Sequence, residues 1–176
     1  VKWEILIVGR GGQGVLLMGR VLGFAADIAG LHVVVTESYA AETRGGESQS
    51  NIIIATSRDE IDYVKAQRPD IAVFMYPFSL DKYKSTFKPS TIVIVDEEYV
   101  DPSHFKGYRV ISARFSEIAE KVAGTRRVAN IVILGRLIKE LNAIRFEHVR
   151  ASLTKLVPQS WLESNLRALE AGYNLE

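Results

Sequence analysis

The sequence predicts an α/β fold, a mostly parallel central sheet flanked by helices with a helical C-terminal portion, and three observations predict it. The chain opens on an aliphatic run, Ile5-Leu6-Ile7-Val8, that ends in the glycine-rich turn Gly9-Arg10-Gly11-Gly12-Gln13-Gly14 and passes directly into a helical pattern. Short apolar runs then recur, separated by turn-rich or helical segments, as far as Ile111. After Ser112 the strand patterns stop and helical ones cluster. Strands alternating with helices, followed by helices alone, describe a layered α/β domain with helices packed on it.

Trp3 to Val8 reads as the first strand, nearly continuous in apolar character as a strand covered on both faces should be. Val15 to Ala29 follows as a helix, with apolar and small residues at helical spacing and Gly30 as its C-terminal cap. Leu31 to Thr36 is the second strand, completing a βαβ unit with a right-handed crossover. Glu37 to Ser50 is polar, holds two adjacent glycines and lacks a period, so it reads as a long ordered loop of the functional kind. Ser48 to Thr56 is a strand centred on Ile52-Ile53-Ile54. Ser57 to Asp70 reads as a connection with a turn of helix at Asp59 to Ala66, then a strand at Ile71 to Met75, broken by Pro77. A short helix is expected at Ser79 to Phe87 and strands at Thr91 to Val95 and Tyr108 to Ile111. Helices are expected at Ser116 to Val122, Val128 to Leu141, Glu147 to Val157 and Ser160 to Ala171, the last capped by Ser160 and stopped by Gly172.

A length of 176 residues suits one domain covering 1–176 and is ample for a core. The net charge of +1 provides no basic field for nucleic acid. No apolar run has the length of a membrane span, and Gly9 to Gly14 interrupts anything resembling a signal peptide, so no membrane association and a cytoplasmic setting are expected. The absence of cysteine excludes disulfides, thiolate zinc sites, a cysteine nucleophile and a cysteine-ligated iron–sulfur cluster from this chain. His32, His104 and His148 stand singly, without the spacing of metal ligands, and no serine has the setting of a nucleophile elbow. No catalytic residue and no metal site are therefore expected.

Gly9-x-Gly11-x-x-Gly14, after a strand and before a helix, fits the dinucleotide fingerprint. Glycines there let the chain turn, let backbone approach a pyrophosphate and let helix and strand pack closely, and the helix N-terminus offers N–H groups to an anion. The bland alternative is a tight βα turn that only serves packing. Glu37, at the end of the second strand, stands where an acidic residue would hold a ribose hydroxyl of a nicotinamide dinucleotide, or else begins a solvated loop. Arg44-Gly45-Gly46-Glu47-Ser48 is a second glycine site, readable as an anion nest with a guanidinium fork or as a turn before a strand. Asp96, Glu97 and Glu98 follow a strand, and the expectation is an exposed acidic turn.

The pairing of the Gly9–Gly14 loop with Glu42-Thr43-Arg44-Gly45-Gly46-Glu47-Ser48-Gln49-Ser50 before the third strand resembles the gamma subunit of 2-oxoacid:ferredoxin oxidoreductases. The resemblance continues through Asp70, Asn130, Leu134-Gly135 and the closing Asn165, Ala168, Gly172 and Tyr173, and so covers essentially the whole chain. Ala40-Ala41-Glu42-Thr43 looks most like the 2-oxoglutarate branch. The resemblance implies a Rossmann-like domain within an enzyme that oxidatively decarboxylates a 2-oxoacid with coenzyme A, giving an acyl-CoA, carbon dioxide and reduced ferredoxin. It implies alpha and beta partner subunits, with a delta subunit in some assemblies, that carry thiamine diphosphate, Mg2+ and iron–sulfur clusters, and ferredoxin as electron acceptor. This chain would contribute coenzyme A binding and subunit contacts. The pyrophosphate would meet the N–H groups of Gly11, Gly12 and Gly14 around Gly9 and Gln13, with Arg10 or Arg44 neutralising charge beside Gly45 and Gly46. Ser48 and Ser50 could add hydroxyl contacts or simply begin a strand, and Asn130 could bond to a loop carbonyl or face a partner subunit. Competing readings are a free-standing NAD-binding oxidoreductase that uses Glu37 and a nucleotide-binding sensor.

Overall fold

The computed structural model describes residues 1–40 and 46–176. Six strands form one sheet: β1 (Lys2–Arg10), β2 (His32–Tyr39), β3 (Glu47–Ala55), β4 (Ile71–Phe74), β5 (Ile92–Asp96) and β6 (Arg109–Ala113), in the order β2-β3-β1-β4-β5-β6. β1, β4, β5 and β6 pair in parallel. β3 runs antiparallel to both of its neighbours, β1 and β2. The mostly parallel sheet is as expected, but the first βαβ unit is split: β2 runs in the direction of β1, and β3 lies between them.

The reason is local. The expected long loop at Glu37 to Ser50 is largely a hairpin, because Glu37, Ser38 and Tyr39 pair with Ser50, Gln49 and Ser48. Polar residues are tolerated there because β2 is an edge strand whose last residues are exposed. The hairpin returns β3 straight back along β1, with Ile5 opposite Ile52 and Gly9 opposite Ser48.

Alternation along the strands divides the apolar residues between two faces. Ile5, Ile7, Ile52, Ile54, Ile71, Val73 and Ile94 face one core, shared with α1 (Val15–Ile28) and the C-terminal helices α3 (Phe115–Ala123), α4 (Ala129–Leu141), α5 (Phe146–Leu156) and α6 (Gln159–Tyr173). Leu6, Val8, Ala72, Phe74, Val93 and Val95 face a smaller aromatic core under α2 (Leu80–Lys84), with Phe105 stacked on Phe74 and Phe87 tilted against it. The turn of helix expected at Asp59 to Ala66 is only a short 3-10 turn at Arg58–Glu60. The rest of that connection is held across the sheet by polar clamps, with Ala66 N–H donating to Asn51 Oδ1 and Gln67 N–H to Glu4 Oε1.

The last helix differs from expectation at both ends. Pro158, not Ser160, precedes α6, and the helix runs through Gly172 to Tyr173. Gly172 is there for close approach: a Cβ on it would lie 1.8 Å from the Val132 carbonyl oxygen of α4. Gly135 of α4 is equally confined, its Cβ position lying 2.3 Å from the Leu169 carbonyl oxygen. Two glycines thus set the α4–α6 distance, and the signal read as a helix stop is a packing signal.

Candidate functional site

The glycine loop leaves β1 at the C-terminal edge of the sheet, beside the ends of β4 and β5, where open α/β sheets present ligand crevices. Its shape is held from inside. Arg10 N–H donates to Gln13 Oε1 at 2.6 Å, Gln13 N–H returns to the Arg10 carbonyl at 3.0 Å, and the Gln13 amide reaches the Met75 carbonyl at 3.1 Å. Gln13 is thus the loop's clamp. Gly14 has φ +79° and precedes α1 directly; no side chain caps the helix, and no acidic residue lies in its first turn. The first N–H groups of α1 and the positive end of its dipole are therefore left for a ligand.

The second glycine segment meets the first through Gly46, whose carbonyl accepts the Gly11 N–H at 2.9 Å. That bond brings the two motifs together and also removes the Gly11 N–H from the donors available to an anion. Arg44 and Gly45 lie outside the described residues. Ser48 is buried opposite Gly9, while the hydroxyl of Ser50 is spent on the Val15 carbonyl at 3.0 Å. Asn130 resolves in favour of the loop: its Nδ2 donates to the Gly14 carbonyl at 3.2 Å.

Two cavities flank the loop and share Gly12 and Arg127. One, of about 190 Å³, is lined by Arg10, Gln13, Asp96, Tyr99, Ser116 and Arg126 among others. The other, of about 400 Å³, lies between the loop and the α5–α6 turn and is lined by Leu17, Val128, Asn130, Leu156, Val157, Pro158, Trp161 and Asn165. The Arg10 guanidinium sits 4.6 Å from the centre of the Tyr76 ring, and that of Arg127 sits 5.8 Å from Trp161. Arg126 is instead neutralised by Glu98 and Glu120.

Asp96 departs from the expected exposed acidic turn. It is buried at the end of β5, and burial pushes its carboxyl up to about 6, against a weaker opposing effect of the Glu98 N–H that it accepts at 3.1 Å. Glu37 departs too. Arg20 of α1 holds it in a two-pronged ion pair, Nε to Oε1 at 2.7 Å and Nη2 to Oε2 at 3.0 Å. Because β3 intervenes, β2 ends two strand spacings from β1, roughly 9–10 Å, rather than beside it. The ribose-binding role considered for Glu37 requires β2 next to β1. Sequence reasoning missed Arg127, Tyr76 and Trp161; the available signal was the pair Arg126-Arg127 immediately before the most apolar helix.

The sequence model of the family described as pyruvate ferredoxin/flavodoxin oxidoreductase matches residues 4–175. The chain belongs to that family. A relative in this oxidoreductase family, 2-oxoglutarate synthase subunit KorC of Methanocaldococcus jannaschii, is 37% identical over 99% of this chain and 94% of its own length. The crystal structure of the keto/oxoacid ferredoxin oxidoreductase gamma subunit from Geobacter sulfurreducens superposes with a TM-score of 0.82 at 29% identity, covering 97% of this chain and 96% of that one. The 2-oxoglutarate:ferredoxin oxidoreductase of Magnetococcus marinus, with 2-oxoglutarate, coenzyme A and succinyl-CoA bound, shares the fold at a TM-score of 0.84 and 22% identity, over 98% of this chain and 30% of that one.

In this family member, the residues that carried the resemblance have mostly structural work. Asp70 ties three strands together: it accepts the Glu4 N–H at 2.8 Å, pairs with Lys88, and its carbonyl accepts the Ile92 N–H at 2.9 Å. Gly135 and Gly172 set the α4–α6 approach, and Tyr173 packs edge-on against Phe146 at 5.4 Å. Among the described residues no helix is long and apolar enough to cross a membrane.

Proposed function

We infer that the chain is the gamma-type subunit of a CoA-acylating 2-oxoacid:ferredoxin oxidoreductase, with 2-oxoglutarate as the preferred 2-oxoacid, and that it contributes coenzyme A binding and subunit contacts. The observation that carries the coenzyme A assignment is the uncapped start of α1 behind Gly12 and Gly14, with Arg10 and Arg127 on either side. A pyrophosphate is a dianion that needs converging N–H donors and cations, which the start of α1 and the flanking Arg10 and Arg127 would supply. The residues proposed for it are Gly9, Arg10, Gly11, Gly12, Gln13, Gly14, Arg44, Gly45, Gly46, Ser48 and Asn130. Within that set we assign Gly12 and Gly14 to the ligand, while Gln13 and Asn130 hold the loop and Gly11 joins it to Gly46. The relatives named above support the 2-oxoglutarate branch.

Thiamine diphosphate, Mg2+ and the iron–sulfur clusters are assigned to alpha, beta or delta partner subunits in the cytoplasm, with ferredoxin as acceptor. The residues of this chain do not fit a cluster or a resident metal: it contains no cysteine, and no group of three or more His, Asp or Glu among the described residues could hold an ion. The thiamine cofactor supplies the carbanion chemistry, and this chain's part is to hold and orient the thiol-bearing co-substrate.

Gly12→Asp tests the reading. No atom lies within 4 Å of a Cβ at Gly12, so the cost of the variant is confined to the left-handed backbone (φ +92°), about 1–2 kcal/mol, which aspartate bears better than most residues, and its carboxylate stands in the anion seat. In the assembled enzyme the KM for coenzyme A should rise by about ten-fold or more with the 2-oxoacid KM unchanged. An unchanged coenzyme A KM would sink the assignment.

A further inference from the structure

β2 is an edge strand, with no strand on its outer side among the described residues. Edge strands are ordinarily guarded against pairing by proline, lysine, a bulge or shortness. β2 has eight residues, none of them proline or lysine, and its register against β3 is unbroken. The Ala40 N–H donates to the Glu47 carbonyl, which sets the alternation of the ladder. Val34, Thr36 and Ser38 turn their backbone groups toward β3, and Val33, Val35 and Glu37 turn theirs outward. Apolar side chains flank this edge. On one face lie Tyr63 and Val64, 59% and 54% exposed, and the Val64 carbonyl accepts the Thr36 hydroxyl at 2.9 Å.

On the other face α1 covers β2 and β3, the Cβ positions of Gly19 and Gly23 being filled by Ser50 and by Val35. Arg20, Asp27 and Ile28 are exposed and Phe24 half-buried, at helical spacing along one side of α1. Arg20 reaches down to Glu37, so that side stands above the open edge of β2. The arginine spends Nε and Nη2 on Glu37 and keeps Nη1. Asp27 has no ion-pair partner among the described residues.

We propose that a second copy of this chain occupies this edge, β2 pairing antiparallel with β2 of the copy about a two-fold axis at Val35, so that the two sheets run on as one. A strand added at the usual spacing of about 4.8 Å puts the two α1 helices roughly 10 Å apart, a distance at which helices pack. The same axis passes between Gly23 and Phe24, because Gly23 sits on Val35. Arg20 of each copy then lies level with Asp27 of the other, and Phe24 with Gly23. In the ladder Val33 stands opposite Glu37, so no like charges meet. Helix and strand are thus self-complementary about one axis. An isologous interface requires that, and a partner of different sequence does not. The proposal stands apart from the coenzyme A reading, and in the assembled enzyme it joins two copies through this chain.

The test reads the oligomeric state of the full chain and of the assembled enzyme. Sedimentation equilibrium of the chain alone should show a dimer in the micromolar range. Asp27→Lys sets a cation opposite Arg20 of the copy, at an exposed position in the last turn of α1 where a lysine suits the helix dipole. It should keep the wild-type circular dichroism spectrum and raise the dimer dissociation constant by about ten-fold or more. The chain contains no cysteine, so a single introduced thiol reports its own surroundings. With a short bis-maleimide, Phe24→Cys should give a covalent dimer of this chain, both from the chain alone and from the assembled enzyme. Glu163→Cys, exposed on α6, should give none. A dimer that Asp27→Lys leaves unchanged would overturn the proposal. So would linkage of Phe24→Cys to a different subunit, or the absence of a Phe24→Cys dimer from both preparations.

Discussion

The Asn130 side-chain amide donates to the Gly14 carbonyl across 116 residues, and it occupies the space that a Cβ on Gly14 would need, 2.2 Å away. The glycine is therefore required twice, for a φ of +79° and for room beside α4. This one contact ties the glycine loop to the C-terminal helices, so the loop's shape depends on a part of the chain far away in sequence.

Gly14→Ala should cost about 2–4 kcal/mol of stability, combining left-handed strain with overpacking. Gly12→Ala, which meets no atom within 4 Å, should cost only about 1–2 kcal/mol. In a double-mutant cycle, adding Asn130→Ala to Gly14→Ala should recover part of the loss, whereas strictly additive urea midpoints would show that the contact is not what constrains Gly14.

Gly172→Ala should be among the most damaging single methyl additions in the chain. Its Cβ would fall 1.8 Å from the Val132 carbonyl oxygen, and neither helix backbone can yield without moving the other. A loss of about 3 kcal/mol is expected in chemical unfolding. A wild-type unfolding midpoint would refute the view that α4 and α6 meet at these glycines.

Asp96 should make stability depend on pH. Its folded carboxyl, at about 6, lies above the ordinary value of 3.8, so the folded chain binds more protons than the unfolded one between about pH 4 and 6. Stability therefore falls as pH rises through that window, and above it the fold bears the full cost of a buried charge, up to about 3 kcal/mol. Glu98 adds to that cost, and Arg126 and Arg114 reduce it. Asp96→Asn should match wild type at pH 4 and become progressively more stable than it up to pH 7, read as the urea midpoint at each pH. A difference independent of pH would assign the titration elsewhere.

Glu37→Gln breaks an ion pair with a well-exposed arginine and should shift the melting temperature little. It should leave coenzyme A kinetics as they are, and NAD should show no saturable binding to either form. Saturable NAD binding that disappears in Glu37→Gln would revive the dinucleotide-dependent reading.

Much of the site was legible because it is contiguous. Strand, glycine turn and helix start fall within fifteen residues, and their chemistry follows from local backbone rules. The loop before β3 was legible as a second glycine motif, though not as a hairpin, since polar edge strands lack the period that marks a half-buried one. Gly172 was misread as a stop because glycine serves helix ends and close helix contacts alike. Asp96 was misread because a carboxylate triplet ordinarily lies in water, and nothing local reports that Asp96 is buried at the end of β5, on a cleft it shares with Ser116 and Arg126.

The sequence by itself determined the α/β class, most strands and helices with their approximate limits, the glycine turn between β1 and α1 and the family, since each depends on short-range pattern or on motifs with fixed spacing. Only the tertiary structure decided that β3 enters between β1 and β2, that Arg20 holds Glu37, that Asn130 braces Gly14 and that Trp161 walls a cavity beside the loop. These relationships join residues on different elements, separated by from 17 to more than 100 positions. Their energies come from burial and hydrogen bonding that exist only once the chain has closed on itself, so no local pattern in the sequence carries them.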